Sequence, residues 1–423
     1  MDRRFANIFG LTEEQAISLL KTSSDRLEDR CDRYVGASHL ANFPTERSIR
    51  ALIETLRDPN PATYHRIARR KAVESLGRLK AAEALPAIRA CLVDEDCYTV
   101  ENAVWSLGEI GTEDETIHEE IARLLARPGQ NYRSIIRVLS KFNYKNALER
   151  VERLTESEDE TVASAAISAI ARLAGDYSGM NRVVELLSHA NVNVRRACVQ
   201  DLIDARYYDA IPHIARCPVS IVFRLRGIRS LANAGIGEGS ITFAQIEPDL
   251  DRVVRDRPGD LNMVHEYDRT PSLEFAIGEL YQTDFGRCYL ASQTLLDVYP
   301  DRAAAASIET FEEKAHHDYG AHYHVIKLLG WLGGGDAYDF FVQQGLHNKA
   351  PQFQKSRAAA AIALGELGDR RAVPLLQECL STPIFHLKYA CLMALEQLGD
   401  TLGPEMAAGD EDRLIRLKAR ARA

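Results

Sequence analysis

The sequence predicts an all-α fold, an α-solenoid of HEAT-like helical repeats, on three observations. A helix-pair pattern returns at a period of about thirty residues, proline recurs in the first turn of the second helix, and acidic connectors separate the units. A helix pair with one apolar face buries it by stacking on its neighbours, which is why the pattern must repeat.

The first unit that displays the pattern clearly is Arg70-Lys-Ala-Val-Glu-Ser-Leu-Gly-Arg-Leu79, matched late in the chain by Arg357-Ala-Ala-Ala-Ala-Ile-Ala-Leu-Gly-Glu-Leu367. Both end in Leu-Gly-x-Leu, and Gly77 and Gly365 stand where one helix is expected to approach the next. The second helices, Ala84-Leu-Pro-Ala-Ile88 and Ala372-Val-Pro-Leu-Leu376, carry proline in the first turn, where its missing N–H has no partner to lose. From Leu76 the frame returns at Leu107, Leu139, Ile170 and Leu202, at intervals of 31, 32, 31 and 32 residues. Connectors such as Asp94-Glu95-Asp96 and Glu156 to Glu160 offer N-caps and acidic first turns.

After Gly235 the register fails. Residues 236–284 contain Pro248, Pro258-Gly259, Pro271 and many charges, with short helical patterns near Asp249 to Asp256 and Ser272 to Tyr281. The expected organisation is therefore one solenoid: repeats over 1–235, an irregular insertion laid over one face at 236–284, and repeats over 285–423. Helix pairs are expected at Phe285–Val298 with Arg302–Lys314, Tyr319–Leu332 with Ala337–Leu346, and Gln354–Leu367 with Arg371–Leu380, and a last pair opens at His386. The tail from Asp412 to Ala423 reads as a frayed, solvated cap.

Composition narrows the function classes. Hydrophobic residues make up 46% and charged residues 27%, and no apolar run approaches the ~18 residues of a spanning helix. The start, Met1-Asp2-Arg3-Arg4, has no apolar signal region, so a cytoplasmic protein is expected. A net charge of -9 disfavours a groove for DNA or RNA and, with it, a lesion glycosylase on a similar solenoid. The eight cysteines form no C-x-x-C pair and read as small core residues.

Against this background one segment is not a packing pattern. His316-His317-Asp318-Tyr319-Gly320-Ala321-His322-Tyr323-His324 holds four of the twelve histidines in nine residues. If the helix starts near Tyr319, Asp318 caps it and Tyr319 and Tyr323 share a face. Packed tyrosines with exposed histidines are one reading, and a proton-handling cluster of acid, phenol and imidazoles is the other. A metal site is the weakest reading, because His118-Glu119 and His265-Glu266 do not make the several paired motifs that a di-iron repeat hydroxylase uses. In Val222-Phe-Arg-Leu-Arg-Gly-Ile-Arg229, Arg226 and Arg229 fall on one helix face beside Arg224. This suits a carboxylate ligand or, equally, pairing with acids of the next repeat. Glu101, Asn102 and Trp105, and the stretch from Tyr281 to Tyr289 around Asp284 and Arg287, are further groups that a repeat core does not require.

Taken together, Tyr34 to Pro44, Tyr98-Thr-Val-Glu-Asn-Ala-Val-Trp-Ser-Leu-Gly108, Arg269 to Phe275, Thr283-Asp-Phe-Gly-Arg-Cys-Tyr289 and Asp318 to Trp331 closely resemble the E/F-type phycobilin lyases of cyanobacteria. The likeness runs through most of the chain and looks like the phycoerythrin-directed branch. That resemblance implies attachment of phycoerythrobilin, as substrate and without a cofactor, to an α-subunit cysteine of phycoerythrin, with isomerisation to phycourobilin in some members. It implies Arg226, Arg229 and Arg287 for the bilin propionates and Asp318 for its pyrrole N–H groups, with Asp284, Trp105 and Tyr323 completing the bilin-binding set. Proton transfer would fall to Tyr319 with Asp318, assisted by His316, His317 or His322. The attacking thiol belongs to the partner subunit, so Cys91, Cys97 and Cys288 need not react, and a second lyase or chaperone subunit is a further partner. The chain lacks the Asn-His-Cys run that some isomerising relatives carry. A non-catalytic scaffold or chaperone holding bilin or apoprotein is the competing class.

Overall fold

The computed structural model describes residues 10–22, 31–333 and 337–421, and every regular element among them is helical. The chain's first four residues and its last two, on which part of the localisation and tail readings rest, lie outside the described residues. Two compact units are formed, Met1–Gly179 and Met180–Ala423. This division falls inside the stretch expected as one N-terminal array to Gly235.

In the first unit the long helices α1 (Thr63–Leu79), α2 (Cys97–Ile110), α3 (Tyr132–Lys141) and α4 (Glu160–Ala174) pack in series, each on the next. Their buried faces come from the repeated frame: Leu76, Leu107 and Leu139 are all fully buried. Gly77 is required by the close approach, since a Cβ there would lie 2.8 Å from the Cα of Ser106. Ser106 Oγ then donates to Val73 O at 2.9 Å, tying α2 to α1. The acidic connectors supply the caps: Asp96 accepts from Thr99 N at the start of α2, and Asp159 from Thr161 N at the start of α4. Pro86 sits in the first turn of Leu85–Ala90, the position that its fixed φ favours.

The second unit contains α5 (Val192–Asp204), α6 (Ile221–Glu238), α7 (Phe243–Arg255), α8 (Phe285–Val298), α9 (Ala321–Leu332), α10 (Gln354–Glu366), α11 (Phe385–Gln397) and α12 (Arg413–Arg420). From α8 to α12 each of these packs on the next. Gly365 repeats the role of Gly77, with an added Cβ 2.8 Å from the backbone of Ala394, and Pro374 again occupies a first turn.

Two expectations are corrected here. The segment 236–284 is not merely laid over one face. Its helix α7 runs through Pro248 and packs on α6 as well as on α10, α11 and α12, burying Ile246, Leu250, Val253 and Val254. The charges that suggested a solvated stretch are partners inside the unit: Asp251 receives Lys418 Nζ at 2.9 Å and Tyr389 Oη at 2.9 Å. For the same reason the tail is not a frayed cap. Leu414, Ile415 and Lys418 of α12 are buried, and Asp412 caps the helix by accepting from Leu414 N.

Candidate functional site

A candidate site lies within the second unit around the first turns of α10 and α11 and one face of α6. Val222, Leu225, Arg226, Arg229, Lys355 and Phe385 are among the residues lining a cleft of about 440 Å³, a volume in the range of small-molecule sites. Arg226 is exposed and donates to Gln200 Oε1. The Arg229 guanidinium lies 3.8 Å from the Phe385 ring centroid and is 2.7 Å from Asp412. The cleft thus combines apolar walls with the Arg226 cation, whose partner is neutral, and the Arg229 cation, whose charge is shared with Asp412, a surface suited to an acid on an apolar frame.

Lys355 joins this cleft to the histidine-rich segment. It is 3% exposed, and its Nζ lies 3.7 Å from the Tyr319 ring centroid, 4.3 Å from Phe285 and 4.9 Å from Tyr323. Its ammonium has no hydrogen-bond partner. Burial pulls its pKa down to about 7, against the opposing pull of Cys288, Asp256 and Asp318.

The segment itself begins after a wide π-helical turn, Phe311–Ala315. Asp318 folds the following turn by accepting from Gly320 N at 2.8 Å and Ala321 N at 2.7 Å, and α9 starts at Ala321, two residues later than the helix start expected at Tyr319. Tyr319 therefore lies outside the helix, 48% exposed over Lys355, and Tyr323 lies inside it, fully buried. The two tyrosines do meet, through Lys355 rather than along one helix face.

The histidines divide. His316 Nδ1 is 2.8 Å from Phe311 O, and its ring is 3.9 Å from that of the exposed His317. His322 is buried, stacked on Phe353 at 4.0 Å with Nδ1 2.9 Å from Ser356 Oγ. Burial, with Lys355 and His316 nearby, pulls its pKa down to about 4, so it is neutral near neutral pH. His324 is wholly buried among Phe285, Tyr289 and Tyr323, and burial holds it well below the usual imidazole range.

Beneath the cage lies a buried polar network that sequence reasoning missed. Asp256 ends α7 in a left-handed conformation (φ 50°) and receives Tyr289 Oη at 2.8 Å, Tyr323 Oη and the Arg224 guanidinium. Arg224 also donates to Tyr289 Oη at 2.8 Å. A buried ion pair is stable only when its remaining donors and acceptors are met, which the two phenols do here. Tyr323 thus serves this network through its hydroxyl while its ring faces Lys355.

Other residues singled out from the sequence are engaged elsewhere. Asp284 caps α8 and binds Arg195 at 2.5 Å and His265 at 2.9 Å. Burial would raise its pKa, but the hydrogen bonds from His265 and Arg195 hold it below the usual carboxylate value. Arg287 is bound by both oxygens of Glu279, at 2.7 and 2.9 Å. Trp105 is half-buried on α2 of the first unit. Lys355 could have been found by aligning the repeats: two residues before Arg357, its counterpart two before Arg70 is Ala68, so a lysine occupies a buried apolar register.

Comparison with known proteins now fits these observations. A model of HEAT repeats matches residues 64–127 and 344–422. The chain is 54% identical over 418 residues to "Uncharacterized phycocyanin operon protein Y" of Pseudanabaena tenuis, covering 99% of each. It is 31% identical over 414 residues to the bilin biosynthesis protein CpeY of Synechococcus sp. (strain WH8020), covering 94% of this chain and 98% of that one. It is also 30% identical over 237 residues to the phycocyanobilin lyase subunit alpha of Synechococcus elongatus, covering 52% and 85%. With near-complete coverage of the first two relatives and the repeat architecture in place, the chain belongs to the E/F-type bilin lyase family.

Proposed function

We propose that this protein attaches phycoerythrobilin through a thioether to a cysteine of a phycoerythrin α-subunit, working at the cleft between α6 and the starts of α10 and α11. The observation that carries this reading is the convergence of Arg226, Arg229 and caged Lys355 on one apolar cleft, with Tyr319 over the cage and Asp318 beside it. An open-chain tetrapyrrole bears two propionates on a conjugated apolar frame and matches that combination.

In the reaction the acceptor's S–H bond breaks and a C–S bond forms at the ethylidene carbon of ring A. The C=C π bond is replaced by a C–H bond, so one proton leaves sulfur and one arrives at carbon without net oxidation. In this reading Asp318 gathers pyrrole N–H groups and Tyr319, with His316 and His317 at its approach, passes the proton. His322, buried and neutral, contributes packing behind them. Isomerisation to phycourobilin would use the same groups to remove one carbon-bound proton and replace it at the ring A/B methine bridge. A second lyase subunit is proposed as a partner, in keeping with the relative named as a subunit alpha.

A phycocyanin α-subunit is the second acceptor to consider, favoured by the operon name of the 54% identical relative. Co-expression of the full chain with either α-subunit and a phycoerythrobilin-producing pathway separates these readings. Covalent colour in the phycoerythrin band on the first subunit alone supports the proposal, and a shift to the phycourobilin band adds isomerisation. Colour on the phycocyanin subunit alone reassigns the acceptor. No covalent colour on either, with or without a second lyase subunit, favours a scaffold.

A further inference from the structure

The described residues include five buried lysines, and four of them have an oxygen partner within the chain. Lys71 pairs with Glu74 at 2.5 Å, Lys327 donates to Arg255 O at 2.6 Å, Lys388 pairs with Asp410 at 2.5 Å and Lys418 with Asp251 at 2.9 Å. The fifth, Lys355, has only aromatic faces around its ammonium. Ring quadrupoles offset part of the loss of hydration but supply no hydrogen-bond acceptor. Neither nearby carboxylate is bonded to it: Asp256 is taken up by Arg224, Tyr289 and Tyr323, and Asp318 holds the amides of its own turn through Oδ1. Lys355 nevertheless lines the cleft that Arg226 and Arg229 enter.

We infer that Lys355 is the seat of a ligand carboxylate in this cleft, the missing acceptor being an acid group carried by the bound molecule. This deepens and rests on the bilin lyase reading, in which that group is a propionate of the tetrapyrrole. Tyr319, half-exposed over the ammonium, is the side of the cage that must give way for the carboxylate to arrive.

One consequence follows from charge. The groups facing Lys355 are the acids Asp256 and Asp318, the Cys288 thiol, the phenols of Tyr319 and Tyr323, and the histidines His322 and His324. Both imidazoles are held neutral by burial. In the free protein burial leaves Lys355 half-protonated at about pH 7. A carboxylate beside it favours the charged form and raises that value. Binding therefore takes up a proton above neutrality, and affinity falls as pH rises, by up to about tenfold per unit beyond about pH 7.

The test is an absorbance titration of the full chain with phycoerythrobilin as free acid and as dimethyl ester, at about pH 6 and about pH 9. Wild type should bind the acid at least about tenfold more tightly at the lower pH and the ester weakly at both. Lys355→Met, which removes an uncompensated charge and should fold, ought to bind the acid at least about tenfold more weakly than wild type at the lower pH and without pH dependence, keeping only the preference that Arg226 and Arg229 supply. Lys355→Arg should keep the preference without the pH dependence. Proton uptake by wild type at about pH 8, read from calorimetric enthalpies in buffers of different ionisation heat, should vanish in both variants. If Lys355→Met binds the acid as tightly as wild type with the same pH profile, the assignment of Lys355 falls and the lyase reading stands. If wild type binds neither form at either pH, both fall.

Discussion

At the scale of the residue, the site separates groups that hold the fold from groups free to meet a ligand. Asp256 is of the first kind. Removing its charge by Asp256→Asn leaves the buried Arg224 guanidinium uncompensated, and a loss of about 3–5 kcal/mol is expected, read from urea unfolding. Tyr319 is of the second kind. Tyr319→Phe keeps the ring over Lys355 and should leave stability within about 0.5 kcal/mol, while slowing chromophore transfer by about a hundredfold. Asp318→Asn should likewise slow transfer while bilin-induced colour persists. Transfer unchanged in both variants would support a scaffold instead. Asp284 gives a pH signature. Its pKa is depressed in the fold, so its contribution is present above the unfolded carboxylate value and is lost as pH falls through the folded one. Asp284→Asn should therefore cost more stability at pH 7 than at about pH 3, as successive unfolding curves would reveal.

At the scale of the element, the repeat grammar was legible and its interruption was misread. Leu-Gly-x-Leu, the first-turn prolines and the capping aspartates all occur where the period placed them, because local propensity and stacking demand the same residues. Gly365→Ala should cost about 1–3 kcal/mol through contact with Ala394, as measured by thermal melting. The short helical pattern near Asp249 to Asp256 belongs to α7, whose burial was hidden because its buried charges imitate a solvated stretch. Only the positions of Lys418, Tyr389 and Arg224 reveal that Asp251 and Asp256 have partners, some of them more than a hundred residues away in sequence. Lys327 makes the same point, reaching the carbonyls of Val254 and Arg255 at the end of α7. The start of α9 shifted because Asp318 closes a turn with Gly320 and Ala321 before the helix begins, a distinction of two residues that side-chain type does not encode.

At the scale of the whole molecule, the family is decided by likeness along nearly the full chain, and in the proposed reaction the attacking thiol comes from the acceptor subunit. Burial pushes the pKa of Cys288 up to about 12 and that of Cys91 up to about 11. Cys379 differs, drawn below the usual thiol value by hydrogen bonding with the buried Cys391 and by Arg357. Serine at Cys91, Cys97, Cys288 or Cys379 should each leave bilin attachment within about twofold, measured on the acceptor subunit. Complete loss in a stably folded variant would require a nucleophile in this chain. Among the described residues no helix is long and apolar enough to cross a membrane. The amino-acid sequence by itself determined the helical repeats, their caps and close contacts, and the likeness to bilin lyases, because each depends on residues near one another in the chain or on patterns that recur. Tertiary structure alone decided that Arg224 serves the core while Arg226 and Arg229 face a cleft, that Asp284 and Arg287 are held by other residues, and that Lys355 stands without a polar partner. Those outcomes depend on what packs against each side chain, and a buried charge reads in sequence like an exposed one until its neighbours are in place.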